Sequence, residues 1–351
     1  MTGNRKMIRT TTHRNSESCP IDFVILWVDG SDPAWQDELK AWSSDDPDVD
    51  SRPQRFRDWG ILPYWFRGVE AFAPWVRKIH FVTCGHLPPW LNTNHPKLNI
   101  VNHRDFMPAD ALPTFNSRAL ELNFHHIAGL SEHFVYFNDD FLLIKDTKPE
   151  DFFVSGLPRD MLALQPVVAN PANPVMSYAF LNETIAISRH FKKRERMKAM
   201  PGKYFHIGYP PLYFFYNLLE AFFPLYTGFY TVHGPSPLLK NTYKELWSLE
   251  APLLAATTRS RFRGKNDVNQ YILREWQKQK GSFIPSNLHH DFRYIDVTDI
   301  SGKNLDVIRR QKKKIICLND SDHLYDFEKH RRIWAGALHS ILPESSSFEL
   351  I

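Results

Sequence analysis

The chain has 351 residues, 43% of them hydrophobic and 14% aromatic, which is ample for a large core in one domain or one domain with an insertion. Its formal charge of +4 calls for no nucleic-acid partner. Three cysteines, Cys19, Cys84 and Cys317, lie far apart with no disulfide framework and no zinc spacing, so a reducing cytosol fits best. Cys84 and Cys317 sit in apolar runs and read as core thiols rather than nucleophiles.

Residues 1–20 are polar, without the apolar stretch of a secretory signal, and read as a disordered tail. Ile21-Asp22-Phe23-Val24-Ile25-Leu26-Trp27-Val28 then reads as a buried strand over 21–29, ending in Asp29-Gly30-Ser31-Asp32-Pro33. Two acids three residues apart could bind a metal, hold a sugar or ribose hydroxyl, or take a proton. Asp, Gly, Ser and Pro are also turn formers, so a hairpin or Asx turn explains the same residues. Residues 61–73 carry helical spacing, 79–84 and 98–102 read as strands, and Asn116-Ser117 reads as the N-cap of a helix over 116–128. The strand over 134–138 ends in Asn138-Asp139-Asp140. Adjacent carboxylates repel each other unless a cation or proton lies between them, and Mg²⁺ often uses one or two carboxylates plus substrate phosphates.

Residues 150–232 are rich in Pro and aromatics and read as an insertion or lid. Within them, 211–230 is the most apolar stretch of the chain. Asn217, Glu220, Pro224 and Gly228 interrupt it, which argues against a membrane span. It reads as a buried helix followed by a loop, or as an interfacial element. Helices are expected over 238–249 and 266–278, with Asp267 in the first turn of the second. Lys314-Ile315-Ile316-Cys317-Leu318-Asn319-Asp320 is a third apolar run ending in an acid, and 331–351 reads as a terminal helix and tail. Strands alternating with helices predict an α/β fold with a mixed or parallel central sheet, which would gather the three acidic turns along one edge. Two basic stretches, 189–198 and 309–314, read as solvated helix faces, or as patches attracted to an anionic membrane or a phosphate-bearing polymer.

These strings resemble the Stealth family of sugar-phosphate transferases, whose four separated regions can be found here in order. The first is Ile21 to Trp35. The second runs from Arg55-Phe56-Arg57-Asp58 through Tyr64-Trp65-Phe66-Arg67, Pro89-Trp90-Leu91-Asn92 and Leu112-Pro113-Thr114-Phe115-Asn116-Ser117 to the Asn-Asp-Asp at 138–140. The third runs from His233-Gly234-Pro235-Ser236-Pro237 to Arg261-Phe262-Arg263 and Asp267. The fourth is Ile316 to Asp320. Leu26 departs from a frequent Thr, and Gly234 stands where an apolar residue is usual. Residues 59–63 look closer to the bacterial polysaccharide enzymes than to animal members.

The resemblance implies a nucleotide-sugar-transferase-like, Rossmann-like fold. It also implies transfer of a hexose-1-phosphate, N-acetylhexosamine-1-phosphate foremost, from a nucleotide-diphosphate sugar such as UDP-N-acetylhexosamine. The acceptor would be a saccharide hydroxyl or a growing sugar-phosphate polymer in capsule or exopolysaccharide synthesis. Nucleoside monophosphate would leave, and a divalent metal, Mg²⁺ or Mn²⁺, would assist. The expected place is the cytoplasm, peripheral to the inner face of the membrane. In such chemistry the protein mostly positions groups and neutralises charge. The expected catalytic residues are Asp29, Asp32, His233 and Arg263, with His233, Asp29 and Asp32 all open as the base. Arg57, Arg67, Asn116, Arg261 and Asp267 are expected on substrate, and Asp139, Asp140 and Asp320 on metal. An ordinary glycosyltransferase releasing nucleoside diphosphate, and a non-catalytic sugar-binding protein, are the alternative readings.

Overall fold

A computed structural model describes residues 19–43, 49–50, 56–320 and 326–350. The tail expected over 1–20 lies outside them up to residue 18, as does Arg55.

The central sheet is built on β1 (Ile21–Leu26), whose Phe23, Val24 and Ile25 are wholly buried. A continuous apolar run of this kind suits a strand covered on both faces. β2 (Ile79–Thr83), β3 (Leu98–Asn102) and β4 (His133–Phe137) run parallel to it in the spatial order β4-β1-β2-β3. A fifth strand, Ser236–Leu239, adds antiparallel to the free edge of β4.

The third acidic run falls elsewhere. β5 (Phe141–Leu143) leaves the Asp139-Asp140 turn and joins a separate three-stranded sheet. There it pairs antiparallel with Ile315–Asn319, which pairs parallel with Phe292–Asp296. The single edge expected to gather all three acidic turns is therefore two sheets stitched by one turn. Leu318 N–H donates to the Asp140 carbonyl at 2.9 Å, so the second and third acidic runs still meet.

Helices cover the sheets. α1 (Pro33–Trp42) and α2 (Leu62–Phe72) each begin with Pro in the first turn, where a missing N–H costs nothing. α2 buries Trp65, Phe66 and Val69 and lies against β5 so closely that a Cβ on Gly68 would sit 2.6 Å from the Leu143 carbonyl oxygen. α3 (Ser117–Glu121) is capped by Asn116, as its sequence predicts, but stops short of residue 128. α4 (Pro174–His190) and α5 (Pro211–Glu220) belong to the segment read as an insertion. α6 (Lys240–Arg259) runs ten residues past its expected end, through a kink at Glu250 before Pro252. α7 (Tyr271–Lys280) starts four residues after Asp267, which therefore lies in the preceding turn and not in the helix. The C-terminal helix spans Phe327–His339.

Two burial expectations reverse. Cys84 is exposed while Cys317 is buried. α5, expected to be buried, turns most of its apolar side chains to solvent.

Candidate active site

A cleft of about 610 Å³ opens where β1, β4 and the strand Ile315–Asn319 end. Ligands of α/β proteins sit beyond the carboxyl ends of strands. Trp27 enters it after β1, Asn138, Asp139 and Asp140 after β4, and Asn319 and Asp320 from the third acidic run. Arg57 and Asp58, Ser117 and Arg118 from α3, His233, Arg263 and Tyr271 complete the reactive part of the wall. Residues 170–180 close one side through Asn170, Asn173, Met176 and Phe180.

Asp140 lies at the centre of the polar contacts. Its Oδ2 accepts from the Cys317 thiol at 3.1 Å and stands 3.8 Å from His233 Nε2. Its Oδ1 is buried with no hydrogen-bond partner. Burial, then the charge of Asp140, push the Cys317 thiol well above its ordinary pKa, so it stays protonated and donates. The other ring nitrogen of His233, Nδ1, shares a 2.6 Å hydrogen bond with the Tyr271 hydroxyl. Among the described residues, ligand atoms of Asp140, His233 and Cys317 lie within 4.8 Å of one another. Asp139 faces the same cleft; crowding by the protein, then the charges of Asp140 and Asp58, push its carboxyl up to about 7. An unpartnered buried carboxylate oxygen beside a second carboxylate that resists ionisation is a donor set that fits a divalent cation. A protonated thiol suits such a hard ion poorly and acts here by orienting Asp140.

Arg57 approaches Asp320 at 3.5 Å and lies over the Phe327 ring. Arg263 donates to Ser117 Oγ at 2.8 Å. A smaller annex of about 140 Å³ opens off the cleft, sharing Trp27, Ser117, Asn138, Asp139 and Arg263. Its own walls are Trp35, Phe56, Phe115 and Tyr136, large aromatic faces of the kind a flat ring can stack on.

Six of the twelve expected site residues meet in the cleft: Arg57, Asp139, Asp140, His233, Arg263 and Asp320. Asn116 borders the annex, yet it is fully buried and its amide donates to Ser260 O, Phe262 O and Asp267 Oδ2. Asp267 is buried too, accepting from Gly264 N, so the pair fastens the 260–267 loop that presents Arg263. Asp29 accepts from Ser31 N and Oγ, and Asp32 caps α1 by accepting from Trp35 N at 2.8 Å. Both stay outside the cleft lining. Arg67 lies outside it as well, paired to Glu349 through two hydrogen bonds of 2.8 and 2.7 Å. Arg261 covers the Trp42 ring at 4.1 Å. Sequence reading did not single out Arg118, Tyr271, Glu121 or Asp296, which also line the cleft. Arg118 and Glu121 follow the cap at Asn116 within α3, and that proximity was the available signal.

The cleft thus lies beyond the carboxyl ends of the strands of a mixed α/β fold. Residues 20–46 match Stealth protein CR1, conserved region 1, and residues 55–159 match Stealth protein CR2, conserved region 2. A capsular polysaccharide phosphotransferase of Streptococcus pneumoniae is 37% identical over 334 residues, covering 94% of this chain and 98% of its own. An exopolysaccharide phosphotransferase of Lactiplantibacillus plantarum is 35% identical, covering 94% and 96%. The chain belongs to the Stealth family. Among solved structures, the galactosyltransferase LgtC with donor and acceptor sugar analogs aligns over 93% of this chain and 98% of its own, at TM-score 0.40 and 10% identity.

Proposed function

We propose that this protein transfers a sugar-1-phosphate, an N-acetylhexosamine-1-phosphate, from a uridine-diphosphate sugar to a hydroxyl of a saccharide or growing sugar-phosphate polymer. It would do so in surface-polysaccharide synthesis, on the cytoplasmic side of the cell membrane. The family's phosphotransferase relatives support this reading. The observation that carries it is the make-up of the cleft. Arg57, Arg118 and Arg263 line it, but so do Asp58, Glu121, Asp139, Asp140, Asp296 and Asp320. Carboxylates outnumber guanidiniums two to one, so a diphosphate would be repelled unless a divalent cation lay between.

Asp140 would hold Mg²⁺ or Mn²⁺, with Asp139 and Asp320 as the neighbouring oxygen donors. When bound, the metal would neutralise charge on the diphosphate. Arg57 and Arg263 would grip phosphate oxygens, for which the guanidinium fork is shaped. The nucleobase would lie in the aromatic annex. The acceptor oxygen attacks the phosphorus that bears the sugar, the bond from that phosphorus to the nucleoside monophosphate breaks, and the hydroxyl proton passes to His233. In the tautomer whose Nδ1–H donates to the Tyr271 oxygen, the Nε2 lone pair on the Asp140 side is the acceptor.

The test is a panel of nucleotide sugars and short saccharide acceptors with Mg²⁺ or Mn²⁺, analysed by chromatography. Acceptor-dependent nucleoside monophosphate is the expected product. Nucleoside diphosphate instead would make the protein a glycosyltransferase. Donor binding without either product, indifferent to metal, would make it a sugar-binding protein.

A further inference from the structure

We propose that the face formed by α5 and the loop after it docks on an anionic phospholipid surface. The helix is inside out. Its inward residues are polar: Asn217 is wholly buried, accepting from Leu164 N and donating to the carbonyls of Leu162 and Tyr204. Glu220 is buried against Lys193 Nζ at 2.7 Å and accepts from Thr227 Oγ1. Its outward residues are apolar, with Leu212, Phe215 and Leu219 exposed. The flanking chain continues the patch, with Ile207 96%, Phe222 78% and Leu225 73% exposed. A helix on a water-facing surface shows the opposite arrangement, and contiguous apolar patches of this kind mark interaction sites.

The charge beside the patch names the partner. Lys193 ties the short helix Lys193–Ala199 to the end of α5, with its ammonium 6.0 Å from the Phe223 ring. That joint leaves Lys192, Arg194 and Lys198 exposed beside the apolar face, with Glu195, paired to Lys192 at 3.5 Å, as the acid among them. Apolar side chains rimmed by basic ones suit an anionic bilayer interface, where acyl boundary and headgroup charge are both matched. A second copy of the chain meeting the same face would bring two basic rims together. The other basic stretch offers no such surface: Lys314 is paired to Asp151, and Lys313 donates to the carbonyls of His289 and His290. Among the described residues no helix is long and apolar enough to cross a membrane, so the contact is peripheral. The inference does not depend on which bond the enzyme breaks.

The test is co-sedimentation of the full chain with phosphatidylcholine vesicles, with and without phosphatidylglycerol, at low and raised salt. The variants are Phe215→Glu/Phe222→Glu and Lys192→Glu/Arg194→Glu/Lys198→Glu, checked for folding by circular dichroism. The expected result is binding to the anionic vesicles, weakened about tenfold or more in each variant. Turnover of soluble donor and short acceptor should be unchanged. Failure of the wild type to bind either vesicle, or equal binding by both variants, would overturn the proposal. So would light scattering that shows a vesicle-free dimer dispersed by the phenylalanine variant, since the face would then be an interface between copies.

Discussion

In the proposed mechanism His233 is the base. Held by Tyr271 at one nitrogen and facing Asp140 with the other, it is placed to take a proton at the cleft wall. His233→Ala is expected to lower kcat about 10²–10⁴-fold, the usual worth of a positioned base, with Mn²⁺ affinity retained. Near-full turnover would remove it from the mechanism, and lost Mn²⁺ binding would make it a ligand instead. Asp140→Asn is expected to weaken Mn²⁺ binding in titration calorimetry, and chelation of the protein should abolish turnover until Mg²⁺ or Mn²⁺ is restored. Asp22, at the opposite end of β1, has a structural task. Burial alone would raise its pKa, but hydrogen bonds from His80, Arg77 and Ser131 more than offset that and hold it below the ordinary value. A depressed folded pKa stabilises the fold above the unfolded pKa, and that contribution fades as pH falls through the folded one. The Tm advantage of wild type over Asp22→Asn should therefore hold at neutral pH and shrink below about pH 4.

Residues also explain where the sequence was readable. The cleft position of Asp139 and Asp140 was legible because they follow an apolar strand, and ligand clefts of α/β folds lie beyond strand ends. Asp29 and Asp32 carry an equally acidic signature, but one oxygen of each accepts locally, from Ser31 and from the first turn of α1. Sequence alone cannot say whether a turn carboxylate serves its own backbone or the solvent. Arg67 finds Glu349 from 282 residues away, a pairing that no local pattern encodes.

Among elements, α5 and α7 invert the usual link between polarity and burial. α7, Tyr-Ile-Leu-Arg-Glu-Trp-Gln-Lys-Gln-Lys, carries six charged or amide side chains, yet nine of its ten residues are buried. Its charges are matched internally: Arg274 forks onto Asp160 at 2.8 and 2.7 Å, and Lys278 meets Glu275 at 2.6 Å. The result is a buried helix whose first residue, Tyr271, meets His233. Asp160→Ala would strand the Arg274 charge in the core and should cost about 3–5 kcal/mol in urea denaturation. At the other end of the cleft, a Cβ on Gly30 would lie 2.0 Å from the Phe56 carbonyl oxygen. Gly30→Ala must therefore displace the 56–58 segment, which carries Arg57 and Asp58. The expected outcome is a raised KM for donor with secondary structure retained, and an unchanged KM would contradict it.

For the whole molecule, the α/β class and the four parallel strands of the central sheet were legible because continuous apolar runs leave few other placements, whereas the antiparallel edge strand Ser236–Leu239 overlaps a segment expected to be helical. The division into two sheets was not legible. It depends on which edge the strand Ile315–Asn319 joins, and at the cleft the turn at 138–140 links the two. That division creates the cleft, because it sets acids that follow strands of both sheets, Arg118 of α3, Arg57, Arg263 and His233 around one space. In the proposed reaction the phosphorus next to the donor sugar travels with it. The most direct measurement uses a uridine-diphosphate N-acetylhexosamine labelled at that phosphorus, with Mn²⁺ and a saccharide acceptor. Label is expected in the acceptor as a phosphodiester, matched mole for mole by uridine monophosphate. Label remaining in uridine diphosphate while the acceptor gains unphosphorylated sugar would contradict it.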